Sequence, residues 1–150
     1  MRQYARMPPA SVRMPSVTVV AGAVALGTLI AYLAWLGWDQ TKELGADGYL
    51  HGPYQSWQVA GLVITIVALA SIGGRLMPPL LSAFVISVVL TLTWSVDAAT
   101  DPGMENDGLW PIGSIMIAAG SFTAVWVVAS ASAVWTRRRP LRRSTPAGSH

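Results

Sequence analysis

Val17-Thr18-Val19-Val20-Ala21-Gly22-Ala23-Val24-Ala25-Leu26-Gly27-Thr28-Leu29-Ile30-Ala31-Tyr32-Leu33-Ala34-Trp35-Leu36-Gly37-Trp38 contains no Asp, Glu, Lys, Arg or His. A helix rising ~1.5 Å per residue needs about 20 apolar residues to cross ~30 Å of hydrocarbon, and this stretch supplies them. Arg2, Arg6, Arg13 and Pro15 precede it, and the first acids, Asp39 and Glu43, follow it. A secretory signal also begins with basic residues. Its apolar core is only about 7–15 residues long and ends in small residues at a cleavage site. The run here is longer and ends in Trp35-Leu36-Gly37-Trp38, so a retained membrane span is expected.

Three more uncharged runs follow, at about Ser56–Ile72, Leu80–Val96 and Pro111–Trp135. The second and third spans are short. They borrow flanking residues such as Tyr54 and Leu76, or stand with little tilt. Pro53 precedes the second span, Pro78 and Pro79 the third, and Pro111 opens the fourth. Proline is tolerated in a first helical turn, where its missing N–H has no intrahelical partner. None lies inside a run, so four unbroken helices are expected.

The composition agrees. Hydrophobic residues make up 53% of the 150-residue chain and charged residues 11%, against roughly 25% charged in soluble domains. There is no cysteine, which excludes disulfides, thiolate zinc sites, iron–sulfur ligation and thiol catalysis. The net charge of +3 comes from basic tails and does not describe a nucleic-acid groove.

Lys and Arg near span ends mark the cytoplasmic side. Of the 10 basic residues, Arg2, Arg6, Arg13, Arg75, Arg137, Arg138, Arg139, Arg142 and Arg143 share one side if there are four spans, and only Lys42 lies opposite. Here Gly73-Gly74-Arg75 is taken as the connection between spans two and three. The 7 acids, Asp39, Glu43, Asp47, Asp97, Asp101, Glu105 and Asp107, all fall on the other side. The expected fold is therefore all-α, an antiparallel four-helix bundle integral to the cell (plasma) membrane, with both termini cytoplasmic. Residues 1–16 form a cytoplasmic basic tail, 17–136 the four-span domain, and 137–150 a basic, disordered cytoplasmic tail.

Helices in lipid associate through small and weakly polar residues. Candidate packing stripes at helical spacing are Thr18, Ala21, Ala25, Thr28 and Tyr32; Gln58, Gly61, Thr65 and Ala68; Ala83, Ser87, Thr91 and Ser95; and Gly113, Gly120, Ala124 and Ala131. These faces either meet in the bundle or line a narrow polar path through Thr65, Ser87 and Thr91. Trp35, Trp38, Trp57, Trp94 and Trp110 gather at the outer span ends and Trp135 at the inner, where amphipathic rings prefer headgroup level. Trp126 lies mid-span.

The first loop, Asp47 to Gln58, holds Tyr49, His51, Tyr54 and Trp57. These residues form either a cap that binds a partner or ligand, or an interfacial anchor for span two. The third loop, Asp97 to Asp107, carries four of the acids and no base. Oxygen-rich loops suit hard divalent cations, but Gly103 sits where a ligand belongs and the distal Glu is missing, so a solvated acidic loop is expected. The basic run after span four attracts anionic lipid headgroups, at about 1 kcal/mol per residue, and no nucleic acid is expected. Without an ionisable residue in the spans, proton coupling lacks its usual group, and without histidine there, bis-histidine haem lacks its ligands. No catalytic residue, cofactor or metal is assigned.

Gly52-Pro53-Tyr54-Gln55-Ser56-Trp57-Gln58-Val59, entering a span after an acidic loop, resembles small four-span membrane proteins of actinobacteria. The resemblance implies a bacterial cell membrane and transfers no activity. The expectation is a non-enzymatic accessory or interaction subunit, as a homo-oligomer or within a larger membrane complex. The alternative is a small hydroxyl-lined channel or facilitator.

Overall fold

The computed structural model describes residues 15–38, 54–100 and 110–138. They form helices α1 (Val17–Leu36), α2 (Ser56–Leu76), α3 (Pro79–Thr100) and α4 (Trp110–Arg138). All four are long and apolar enough to cross a membrane. At 29 residues, α4 is about 43 Å long and exceeds the hydrocarbon thickness, so its Trp110 and Arg137–Arg138 ends reach into polar surroundings. No helix sorts apolar from polar residues as a soluble bundle does. Leu26 is 58% exposed, Ile64 71%, Phe84 58% and Met116 69%, one on each helix. An outer surface this apolar requires lipid as its solvent.

Local signals set the helix ends. Ser16 Oγ accepts from the Val19 N–H at 3.4 Å and caps α1. The Gln55 N–H donates to Gln58 Oε1 at 2.8 Å at the start of α2. Met77 is extended (φ −143°, ψ 168°), as steric contact with the following Pro78 demands, and the chain turns there into Pro79.

Two helices run four residues past the ends of their apolar runs. Gly73-Gly74-Arg75 is not a connection. It is helical, and Gly73 and Gly74 are buried. A Cβ on Gly74 would strike the carbonyl oxygen of Ala129 and come within 2.7 Å of its Cα. The glycine is what lets α2 approach the α4 backbone this closely. At the other boundary, α3 continues past Val96 through Asp97 to Thr100, because Ala98 and Ala99 sustain a helix and nothing breaks it before Pro102.

Helices α2 and α3 touch each other, and α1 and α4 each pack on both. Among the described residues α1 and α4 do not meet. The core is built from Val20, Val24, Tyr32, Ile66, Ile86 and Val125, with smaller residues between them. The expected stripe is inward on α3, where Ala83 and Ser87 are buried and Thr91 and Ser95 half-buried. On α4 only Gly113 is, half-buried against Trp94, since Gly120, Ala124 and Ala131 are exposed. That helix instead turns Ala118, Ser121, Val125, Ala129 and Ser132 inward. Both of its faces carry small residues, and the contacts from Ser87 and Gly74 select between them. Thr18 and Ala68 are likewise exposed.

Candidate functional site

At one end of the bundle, where α1 and α3 finish and α2 and α4 begin, three helices share a polar cluster. Tyr32, in the last turns of α1, donates its phenol O–H to Asp97 Oδ2 at 3.1 Å. Tyr54, just before the α2 N-cap, donates to the same oxygen. The expectation placed Asp97 in a solvated loop. It is instead a half-buried helical residue held by two phenols. Sequence reasoning missed this pairing. The available signal was the run Ala98-Ala99-Thr100, which has no helix breaker and carries Asp97 into α3.

An aromatic group adjoins the cluster. Trp35 donates its indole N–H to Thr65 Oγ1 at 3.1 Å, and its ring lies flat enough against Gly61 that an added Cβ would come within 2.6 Å. Trp57 meets Trp35 edge-on, with centroids 6.2 Å apart and planes at 75°, and meets Trp38 at 6.1 Å. Trp57 also donates to Gln55 Oε1 at 2.7 Å. Trp38 and Trp57 are 62% and 51% exposed. Across the same end, Ser95 and Ser114 are hydrogen-bonded at 2.8 Å, and the Trp94 ring covers Gly113.

Of the four residues singled out in the first loop, Trp57 is exposed and Tyr54 half-buried on Asp97. Tyr49 and His51 lie outside the described residues, as do Asp101, Glu105 and Asp107. Among the described residues no group of three His, Cys, Asp or Glu side chains is placed to hold a metal ion.

The hydroxyls of the middle are mostly engaged. Thr65 donates to the Gly61 carbonyl at 2.9 Å, and Ser87 bonds the Ala118 carbonyl and the Ser121 hydroxyl, both at 3.0 Å. Thr28, Thr93 and Thr123 donate to carbonyls one turn back in their own helices, a usual use of hydroxyls in membrane helices. Thr91 Oγ1 is buried without a partner. A cleft of about 190 Å³ opens between α2 and α4. Its walls, including Leu62, Ile66, Val67, Val125 and Val128, are apolar except for Ser121.

No family model, no curated protein and no solved structure matches this chain. The described residues define the class: an all-helical protein with four helices able to span a membrane.

Proposed function

We propose that this chain is a non-enzymatic accessory or interaction subunit of a bacterial cell membrane, working as a homo-oligomer or beside a larger membrane complex. Its helices run alternately up and down, with both termini cytoplasmic, and the tyrosine–tryptophan end faces outward. The charge partition supports this orientation, with nine of the 10 basic residues falling on one side.

The observation that carries the interaction reading is the Trp38–Trp57 pair. Two large rings are more than half exposed and in contact with each other, and Trp57 is braced by Trp35 and by Gln55. Rigid, amphipathic aromatic surface is what protein contacts favour. Beneath it, the Tyr32–Asp97–Tyr54 cluster ties the end of the first loop to α1 and α3, so Tyr54 acts as a tether and Trp57 as contact surface.

The test is crosslinking in intact native membranes, mild solubilisation, affinity capture and mass spectrometry. A stoichiometric partner, lost in the Trp38→Ala/Trp57→Ala double variant, supports the reading. Recovery of this chain alone as a defined oligomer, with flux in liposomes, would shift weight to the channel. That second reading rests on Thr91, whose buried hydroxyl lacks a partner, and it requires flux to change in Thr91→Val.

A further inference from the structure

The cleft between α2 and α4 has a volume of about 190 Å³, and a dry apolar cavity of ~150 Å³ already takes up benzene. Its hydroxyl, on Ser121, is engaged with Ser87 at 3.0 Å and with the Ala118 carbonyl. The cleft therefore suits hydrocarbon and not water or a polar ligand. It closes where the Gly74 and Ala129 backbones come together, one turn beyond Ala70 on α2 and directly after Val128 on α4. A guest that extends further towards that end of the bundle must leave the cleft and follow the outer face of α4.

That face carries a line of matching residues. Ala124 and Val128 line the cleft. Ala131, Trp135 and Arg138 follow at steps of three and four, which keeps all five residues on one side of the helix. Ala124, Ala131, Trp135 and Arg138 are exposed. The alanines leave a shallow furrow, and Trp135 and Arg138 stand at its end. From Val128 to Arg138 the helix rises about 15 Å, half of the ~30 Å hydrocarbon thickness. That is the depth of one leaflet, so an acyl chain whose ester end lies beside Trp135 reaches the cleft with its tail. Headgroup level is where a tryptophan ring is at home.

Charge identifies the head of the guest. At this end of the bundle α1 and α3 begin and α2 and α4 finish. Residues 1–16, 73–80 and 137–150, which make up the chain there, contain no Asp or Glu. The Arg138 guanidinium thus finds no acidic side chain in those segments, and its fork geometry matches a phosphate. A second copy of the chain is a poorer occupant. Copies cross the membrane in the same sense, so two joined through this face would set Arg138 against Arg138, like charge on like.

We propose that the α2–α4 cleft and the Ala124-to-Arg138 line form a binding site for one anionic phospholipid. One acyl chain fills the cleft, the ester region lies against Trp135, and the phosphate sits on Arg138. The lipid covers the most open seam of the bundle and joins α2 to α4 above their backbone contact. The site stands at the opposite end from the Trp38–Trp57 surface, so the two readings fail or hold separately.

The test is native mass spectrometry of the full chain in detergent, titrated with dioleoyl phosphatidylglycerol or with phosphatidylcholine carrying the same chains. The expected result is one tightly held phosphatidylglycerol per chain, retained in preference to phosphatidylcholine. Arg138→Gln should weaken phosphatidylglycerol binding about five-fold, which corresponds to the ~1 kcal/mol that one basic residue contributes near anionic lipid. Arg137→Gln, off the line, should leave it largely unchanged. Ala124→Phe fills the cleft and should weaken both lipids, while Arg138→Gln, at an exposed helix end, tests the site without touching the core. Equal retention of the two lipids, equal losses in Arg137→Gln and Arg138→Gln, or undiminished binding in Ala124→Phe would overturn the proposal. So would a dimer that Ala124→Phe dissociates, because a second copy would then occupy the cleft.

Discussion

Tyr32 and Asp97, 65 positions apart in the chain, meet through a 3.1 Å hydrogen bond from phenol to carboxylate. With Tyr54 on the same oxygen, one acid holds the finishing turns of α1 and the residue that leads into the N-cap of α2. Hydrogen bonds to charged groups contribute about 1.5–3 kcal/mol, whereas polar pairs between membrane helices average about 0.6 kcal/mol. Asp97 is half-buried near a helix end, so Tyr32→Phe is expected to cost about 1–2 kcal/mol. Asp97→Asn should lose much of the same interaction. A double-mutant cycle read by unfolding in lipid or detergent checks this: the two losses should fall short of additive by about 1 kcal/mol. Strict additivity would mean the pair is not coupled.

Gly74 and Gly120 make opposite predictions from the same substitution. At Gly74 an added methyl group meets the backbone of Ala129, which cannot rotate away as a side chain could. Gly74→Ala should destabilise by at least the ~1–3 kcal/mol typical of overpacking, and Gly74→Leu should prevent the α2–α4 contact from forming. Gly120 has nothing within 4 Å of the corresponding position. Gly120→Ala should therefore be neutral or stabilise, since glycine is worse than alanine in a helix by about 0.5–1 kcal/mol. Melting temperatures of the two variants, measured side by side, decide the matter.

Ser87 and Thr91, one helical turn apart on α3, should also diverge. Ser87 bridges to α4 through the Ala118 carbonyl and the Ser121 hydroxyl. Ser87→Ala is expected to cost about 0.6 kcal/mol, with an upper end near ~1.7 kcal/mol. The Thr91 hydroxyl is buried and unpartnered, so the near-isosteric Thr91→Val removes a polar group that gains nothing and should be neutral or stabilising. If Thr91→Val instead destabilises, its hydroxyl has a partner in the membrane.

The four helices were legible in the sequence because a span is a matter of length and the absence of charge. The run beginning at Val17 and helix α1 differ by only two residues at one end. Charge was a poor guide to where helices stop. Arg75 and Asp97 interrupt the apolar runs, but the helices continue through both, α2 to Leu76, where Pro78 forces Met77 extended, and α3 to Thr100. The packing face of α4 was not legible, because Gly120 and Ala124 on one side are as small as Ala118 and Ala129 on the other. Nor was the Tyr32–Asp97 pair, whose meeting depends on how α1 and α3 are brought together. Local spacing carries no trace of that arrangement.

The orientation offers a last prediction, which the absence of native cysteine makes clean. Single cysteines are placed at Asp101, beyond the end of α3, and at Arg139, beyond the end of α4. If Arg137, Arg138 and Arg139 sit in the cytoplasm by the positive-inside rule, Asp101→Cys reacts with a membrane-impermeant maleimide on intact cells. Arg139→Cys reacts only after lysis. Labelling of Arg139→Cys on intact cells would reverse the orientation and turn the Trp38–Trp57 surface towards the cytoplasm. Labelling of both positions would place them on the same side, an even number of crossings apart, so α4, the helix between them, would not span.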